Sequence, residues 1–200
     1  MVQVELLLLA KKSTYSPELV PYILLFNNYF GSGLSSIVFQ EIRESKSLAY
    51  AARTEYAMPK LKEKSNYLYT YIGTQANKLP LALDGLNSLL EEMPLNDGQF
   101  EAAKESVLKS LATKRVLNYK LLWELDKLEK LGVSETYNLD LYNKVQEITL
   151  QDLKTFFDKH VKGTTYDLLI IGNKKDLNQK VLEDYGSLIE LDYKDLFNYE

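Results

Sequence analysis

FGSGLSSIVFQEIRESKSLAYAARTEY, residues Phe30–Tyr56, decides the fold. It opens on the flexible turn Gly31-Ser32-Gly33. Leu34, Val38 and Ile42 then recur four apart with Ile37 beside them, which predicts a short amphipathic helix ending near Glu44-Ser45-Lys46-Ser47. From Leu48 the pattern changes period. Tyr50, Ala52, Thr54, Tyr56 and Met58 fall on one face and Ala51, Arg53, Glu55 and Ala57 on the other, as in a strand. Arg43 closes the helix and Tyr50 opens the strand, and the reversal between them turns both side chains toward one space. A fixed cation beside a hydroxyl donor is equipped to hold a peptide carbonyl, or the oxyanion it becomes. The plain alternative is that Arg43 complements a helix dipole and Tyr50 is an ordinary strand residue.

Upstream, Val2–Ala10 begins alternating and becomes continuously apolar, which predicts a central strand buried on both faces. Lys11–Tyr15 reads as a polar connection. Ser16-Pro17-Glu18 gives a hydroxyl N-cap, a proline at the first helical position and an acid in the first turn. The helix is expected to run to about Tyr29, with Leu19, Ile23 and Phe26 facing inward.

Downstream, the charged stretch Pro59–Ser65 predicts a hairpin connection, followed by a second tyrosine-rich strand over Asn66–Gln75. Its Tyr67, Tyr69 and Tyr71 share one face, which reads first as a half-buried sheet face and second as a peptide-binding surface. Asn77 and Pro80 start a helix that Pro94 ends, and Asn96 or Asp97 starts a long helix with a break near Asn118. Leu121, Leu122, Leu125, Leu128 and Leu131 continue as a helix closed by Gly132, with core packing as the expected use of those leucines. A short helix follows from Tyr137 through Val145. Thr149-Leu-Gln-Asp152 has the form of a capping box for a helix ending near His160. Tyr166–Ile171 reads as a strand, Leu177–Tyr185 as a short helix closed by Gly186, and Ile189–Leu191 as an edge strand. Asp192–Glu200 reads as a tail tied down by Leu196 and Phe197. This order predicts an α+β fold, helices packed on one face of a mainly antiparallel sheet.

A chain of 200 residues that is 46% hydrophobic builds a real core and suits one large domain or two small ones. The net charge of −4, with both signs interspersed and no basic stripe, argues against nucleic acid as a partner. Without cysteine there is no disulfide and no thiolate metal site. No apolar run reaches membrane-spanning length, and the first residues lack the basic start of a signal peptide, so the compartment is left open. A Ser-His-Asp triad would have to use the only histidine, His160, and no G-x-S-x-G elbow is present. Gly31-Ser32-Gly33 lacks a phosphate-loop lysine, and Ser36 stands where a dinucleotide fingerprint needs its third glycine.

The glycine turn, Ser35-Ser36, Phe39-Gln40-Glu41-Ile42-Arg43-Glu44 and Ser47-Leu48-Ala49-Tyr50 together resemble the C-terminal-type, non-catalytic domain of the M16 peptidases, the family of pitrilysin, insulin-degrading enzyme and mitochondrial processing peptidase. The family's functional arginine and tyrosine, seven apart, fall on Arg43 and Tyr50. The resemblance implies the M16 (LuxS/MPP-like metallohydrolase) domain fold with its helical second half, as a single non-catalytic domain over residues 1–200 excised from a longer multi-domain peptidase. It also implies a partner catalytic domain, on the same chain or another subunit, that carries zinc on the inverted motif H-x-x-E-H. The two halves would enclose a peptide substrate. This chain, with one histidine, would hold no metal or other cofactor and hydrolyse nothing by itself. The glycine turn is shorter than the loop of some non-catalytic members. Other members of the fold act as scaffolds, so an assembly module and a stand-alone peptide-binding domain are the alternative readings.

Overall fold

The computed structural model describes residues 3–196. One antiparallel sheet has the strand order β2-β3-β1-β4, formed by β1 (Gln3–Thr14), β2 (Ala51–Ala57), β3 (Ser65–Gln75) and β4 (Asp167–Ile171). The α-helices among the described residues are α1 (Val20–Phe26), α2 (Leu79–Glu91), α3 (Asp97–Thr113), α4 (Leu121–Leu131), α5 (Tyr137–Glu147), α6 (Leu150–His160), α7 (Gln179–Glu183) and α8 (Tyr193–Leu196).

Alternation decides which face the helices cover. Val4, Leu6, Leu8 and Ala10 of β1, Ala52 and Tyr56 of β2, and Leu68 and Ile72 of β3 are all buried. The register sets Leu6 opposite Ile72 and Ala52 opposite Ile72, so these side chains form one continuous floor. Phe26, Phe30, Tyr56, Phe156 and Phe157 stack and tilt against one another above it, joining α1 and α6 to the sheet. This is the expected α+β architecture, with the helices on one face.

Three local signals that name a specific hydrogen bond or turn are realised. The Asn96 side chain accepts from the Gln99 backbone at the start of α3, Thr149 and Asp152 form the reciprocal capping box of α6, and Gly132 closes α4 in a left-handed conformation (φ 68°). Others are not. The Ser16 side chain makes no cap hydrogen bond, and Asn77 is not a cap: it lies inside the 3-10 turn Ala76–Lys78 that leads into α2. The strand predicted from Val2 (itself outside the described residues) continues through the supposed connection to Thr14. Leu7 and Leu9 lie half-buried on its open face, so β1 is central without being covered on both sides. Leu34 is 74% exposed and stands outside the helix it was assigned to. Ile189–Leu191 forms no strand, because no neighbour offers it a ladder, and Ile189 is exposed. Phe197 of the expected tail lies outside the described residues.

The largest departure from a plain helical reading is at the glycine turn. Two π-helical segments bracket it, Asn27–Gly31 extending α1 and Phe39–Ser45 ahead of β2. Each carries a five-residue closure, Ser32 N–H to the Asn27 carbonyl (2.7 Å) and Lys46 N–H to the Glu41 carbonyl (3.3 Å). Such widened turns concentrate at functional positions. No helix among the described residues is long and apolar enough to cross a membrane.

Candidate functional site

β2 is an edge strand, and the chain before it covers part of that edge. The Asn27 side chain accepts from the Tyr56 N–H (2.8 Å) and donates to the Tyr56 carbonyl (3.1 Å), standing in for a neighbouring strand. The Ser32 hydroxyl donates to the Thr54 carbonyl (3.2 Å). Gly31 lies so close to that carbonyl that a Cβ on it would fall 2.0 Å from the oxygen. The expected flexible turn is therefore seated on the sheet at Gly31, and only Gly33 (φ 101°) needs glycine for its backbone conformation.

The π segment ends in a reversal. Ser47 takes a positive φ of 49°, the Leu48 N–H returns to the Ile42 carbonyl (2.9 Å), and Lys78 donates to the Ser47 carbonyl (2.9 Å). Thr74 of β3 donates to the Leu48 carbonyl, and the Tyr50 N–H joins the Gly73 carbonyl (3.0 Å). The loop between Arg43 and Tyr50 is thus held at both ends.

Tyr50 does not continue the face of Ala52 and Thr54, as its alternation predicted. It precedes β2, and its phenol crosses to the open face of the sheet, where its ring and hydroxyl fill the space a Cβ on Gly73 would take. A Cβ at Gly73 would come within 2.4 to 2.6 Å of the ring and hydroxyl of Tyr50. The Gln3 side-chain amide donates to the Tyr50 hydroxyl, and the Tyr71 hydroxyl lies beside it. Burial raises the Tyr71 pKa above its ordinary value, with the Glu5 carboxylate and then Tyr50 adding to the shift. A phenol oxygen that accepts from an amide keeps its own proton for an outgoing bond.

Arg43 sits on the exposed side of the π segment. Its guanidinium lies over the Phe39 ring (4.8 Å to the centroid), and Nε is 3.6 Å from Glu44. An exposed pair of that kind contributes at most about 1 kcal/mol, so the side chain is free to exchange Glu44 for another acceptor. No hydrogen bond, ion pair or ring contact joins Arg43 to Tyr50 among the described residues. They flank one reversal without touching.

The open face continues from Tyr50 along β3. Arg53 lies over the Tyr71 ring (5.4 Å), Tyr69 donates to Glu55, and Tyr67 is exposed. Tyr69 and Tyr71 are half-buried, the first of the two uses read for this stripe. Gln3, Gly73 and Tyr71 were not singled out as partners of Tyr50. The usable signal was Gly73, an isolated glycine in a strand pattern, which marks a close approach.

Zinc does not fit this chain's residues. No group of three or more His, Cys, Asp or Glu side chains comes together among the described residues. His160 stacks on Phe156 (4.9 Å between centroids). Burial, then Lys159 and Lys12, lower its pKa from 6.5, so burial overrides the expected match of a charged imidazole to the helix end. The unfolded chain therefore takes up this proton first as pH falls, and the stability from a neutral His160 is complete above pH 6.5 and lost on descent toward the folded-state pKa. Between about pH 7.5 and about pH 5.5, the thermal midpoint of wild type is expected to drop more than that of His160→Gln; equal slopes would remove this assignment.

The family model for the peptidase M16 inactive domain matches residues 4–107. A Helicobacter pylori protein called non-peptidase homolog YmxG is 24% identical over 146 residues, covering 72% of this chain and 34% of that protein. A Bacillus subtilis protein called uncharacterized zinc protease YmxG is 32% identical over 92 residues, covering 44% of this chain and 22% of that one. The match thus spans about a third of the first relative's length and about a fifth of the second's. A crystal structure of a peptidase M16 inactive domain from Pseudomonas fluorescens superposes with a TM-score of 0.68 at 19% identity over 86% of this chain and 41% of its own. The inactive peptidase domain of a zinc protease homologue from Bordetella parapertussis superposes at 0.69 with 15% identity, over 86% of this chain and 93% of its own. At these identities the structures speak for the fold alone.

Proposed function

Because the chain belongs to the family of peptidase M16 inactive domains, we propose that it is the substrate-binding half of an M16 zinc peptidase. It closes a peptide chamber against a separate domain that carries the H-x-x-E-H motif and the zinc. Tyr50 donates a hydrogen bond to the oxyanion that forms on the scissile carbonyl. Arg43 binds a carbonyl of the bound peptide. The tyrosine-lined open face beside Tyr50 extends the peptide's bed.

The observation that carries this reading is the support around Tyr50. A phenol that is 44% exposed is nevertheless seated on a glycine and has its oxygen fixed by Gln3. A surface tyrosine with no task needs neither. Arg43, exposed and weakly paired, is free to reach a substrate oxygen. The test is peptide hydrolysis by this chain reconstituted with its zinc-bearing partner, comparing wild type with Tyr50→Phe and Arg43→Ala after each variant is shown to fold.

A second reading takes support from the relative named a non-peptidase homologue. In that case the chain is an assembly module of the same fold, and both variants cleave, or assemble, like wild type.

A further inference from the structure

The leucines of α4 were expected in the core, and among them only Leu128 is buried. Leu121, Leu122 and Leu125 are exposed, and α4 meets the rest of the chain through Leu128 and through the Lys62 N–H, which donates to the Lys130 carbonyl (3.0 Å). Between α4 and the elements beneath it is a cavity of about 870 Å³, within the range of small-molecule sites. Its wall is apolar, built from Val20 and Leu24 of α1, Leu61 of the β2–β3 connection, Leu111 of α3, Leu128 of α4 and Leu141 of α5.

The charges around it do not cancel. Lys114 pairs with Glu124 (2.6 Å) and Asp126 with Lys130 (2.5 Å), which uses both carboxylates that line the cavity. Lys60 and Lys127 are exposed and in no ion pair among the described residues, and the Glu124 carboxylate, already bonded to Lys114, also feels Lys127, so positive charge stays in excess. A third feature is independent of charge. The hydroxyls of Tyr15 and Tyr137 share one hydrogen bond at 3.1 Å, so one of their two protons has no acceptor among the described residues. Apolar walls, a lining with four lysines to two carboxylates, and a hydroxyl donor together describe a receptor for an anion with a hydrocarbon body.

We propose that this cavity binds a single-chain amphipathic carboxylate, its alkyl chain against the α1, α3 and α5 leucines and its carboxylate at Lys60 and Lys127. The site is separate from the Arg43–Tyr50 reversal and does not depend on the peptidase reading.

Trp123, the only tryptophan in the sequence, lines the cavity and reports on it. The whole chain is titrated with decanoate below its micelle concentration, following Trp123 fluorescence, and in parallel with decyltrimethylammonium, which has the same chain and the opposite charge. A saturable change with decanoate is expected, at least about tenfold tighter than with the cationic amphiphile, since the two lysines attract one head and repel the other. Lys60→Gln/Lys127→Gln, which alters two exposed side chains, should fold like wild type and lose most of that preference. Equal affinity for the two amphiphiles, or a preference unchanged in the double variant, overturns the proposal and marks the cavity as merely greasy. The absence of a saturable response to decanoate overturns it as well, and leaves the apolar wall to a segment of another protein.

Discussion

Tyr50→Phe is expected to lower kcat of the reconstituted peptidase by about 100- to 1,000-fold, the usual loss when one oxyanion donor is removed, equivalent to about 3 kcal/mol of transition-state stabilisation. KM should change little, because the bond strengthens only as charge develops on the carbonyl oxygen. Arg43→Ala should behave differently. It removes a contact to a ground-state carbonyl, so KM rises by about tenfold while kcat falls less. The same loss in both variants would mean that they act through a common structural defect. No loss in either would leave the assembly reading standing. The support around Tyr50 adds a stricter condition. In Gly73→Ala the new methyl group collides with the tip of a flexible, partly exposed side chain, so the phenol swings away and the sheet survives. Its kcat should fall toward that of Tyr50→Phe, with stability changed by less than about 1 kcal/mol. The double variant should be no slower than Tyr50→Phe alone, since Gly73 acts through the phenol it seats. Additive losses would show Gly73 acting by some other route.

The fold was legible at most local periods and at several named hydrogen bonds, though not at the Ser16 cap or at Leu34. The alternation of Ala52, Thr54 and Tyr56, the capping box at Thr149 and Asp152, and the glycine closing α4 each depend on a few neighbouring residues. Legibility failed where a distant partner decides the outcome. Leu121 and Leu122 have the spacing of core residues, yet both are exposed among the described residues, and spacing cannot report what lies opposite. The two π segments were invisible because their apolar positions suit an α-helix equally well; the extra residue per turn follows from how Gly31 and Ile42 meet the sheet and α2. The candidate site divides in the same way. Arg43 and Tyr50 were found from a linear motif. The direction of the Tyr50 phenol was not, because it is set by a missing Cβ on β3 and an amide on β1.

Gly31→Ala is expected to produce a large loss of stability, about 3 kcal/mol, at the upper end for a methyl group forced into a packed interior. The backbone of Gly31 has no positive φ, so alanine meets no conformational penalty there and the whole cost is steric. The added Cβ would stand 2.0 Å from the Thr54 carbonyl oxygen and 2.9 Å from its carbon. Neither can move alone. The Thr54 carbonyl accepts from Ser32, its hydroxyl bonds to Thr70 at 2.9 Å, and Phe30 on the other side of the clash is packed against Phe26 and Phe157. Relief must come from separating α1 from the edge of β2, which also strains the Asn27 bonds to Tyr56. For a domain of this size the thermal midpoint should fall by about 10 °C. Gly33→Ala is the control. Its φ of 101° penalises alanine by about 1–2 kcal/mol, but nothing lies within 4 Å of the added methyl, so its loss should be the smaller of the two. If Gly33→Ala proved the more damaging, the glycine turn would matter for its backbone freedom. The reverse order, expected here, makes Gly31 the point where the helical layer is seated on β2, and therefore the residue that fixes where the loop carrying Arg43 and Tyr50 begins.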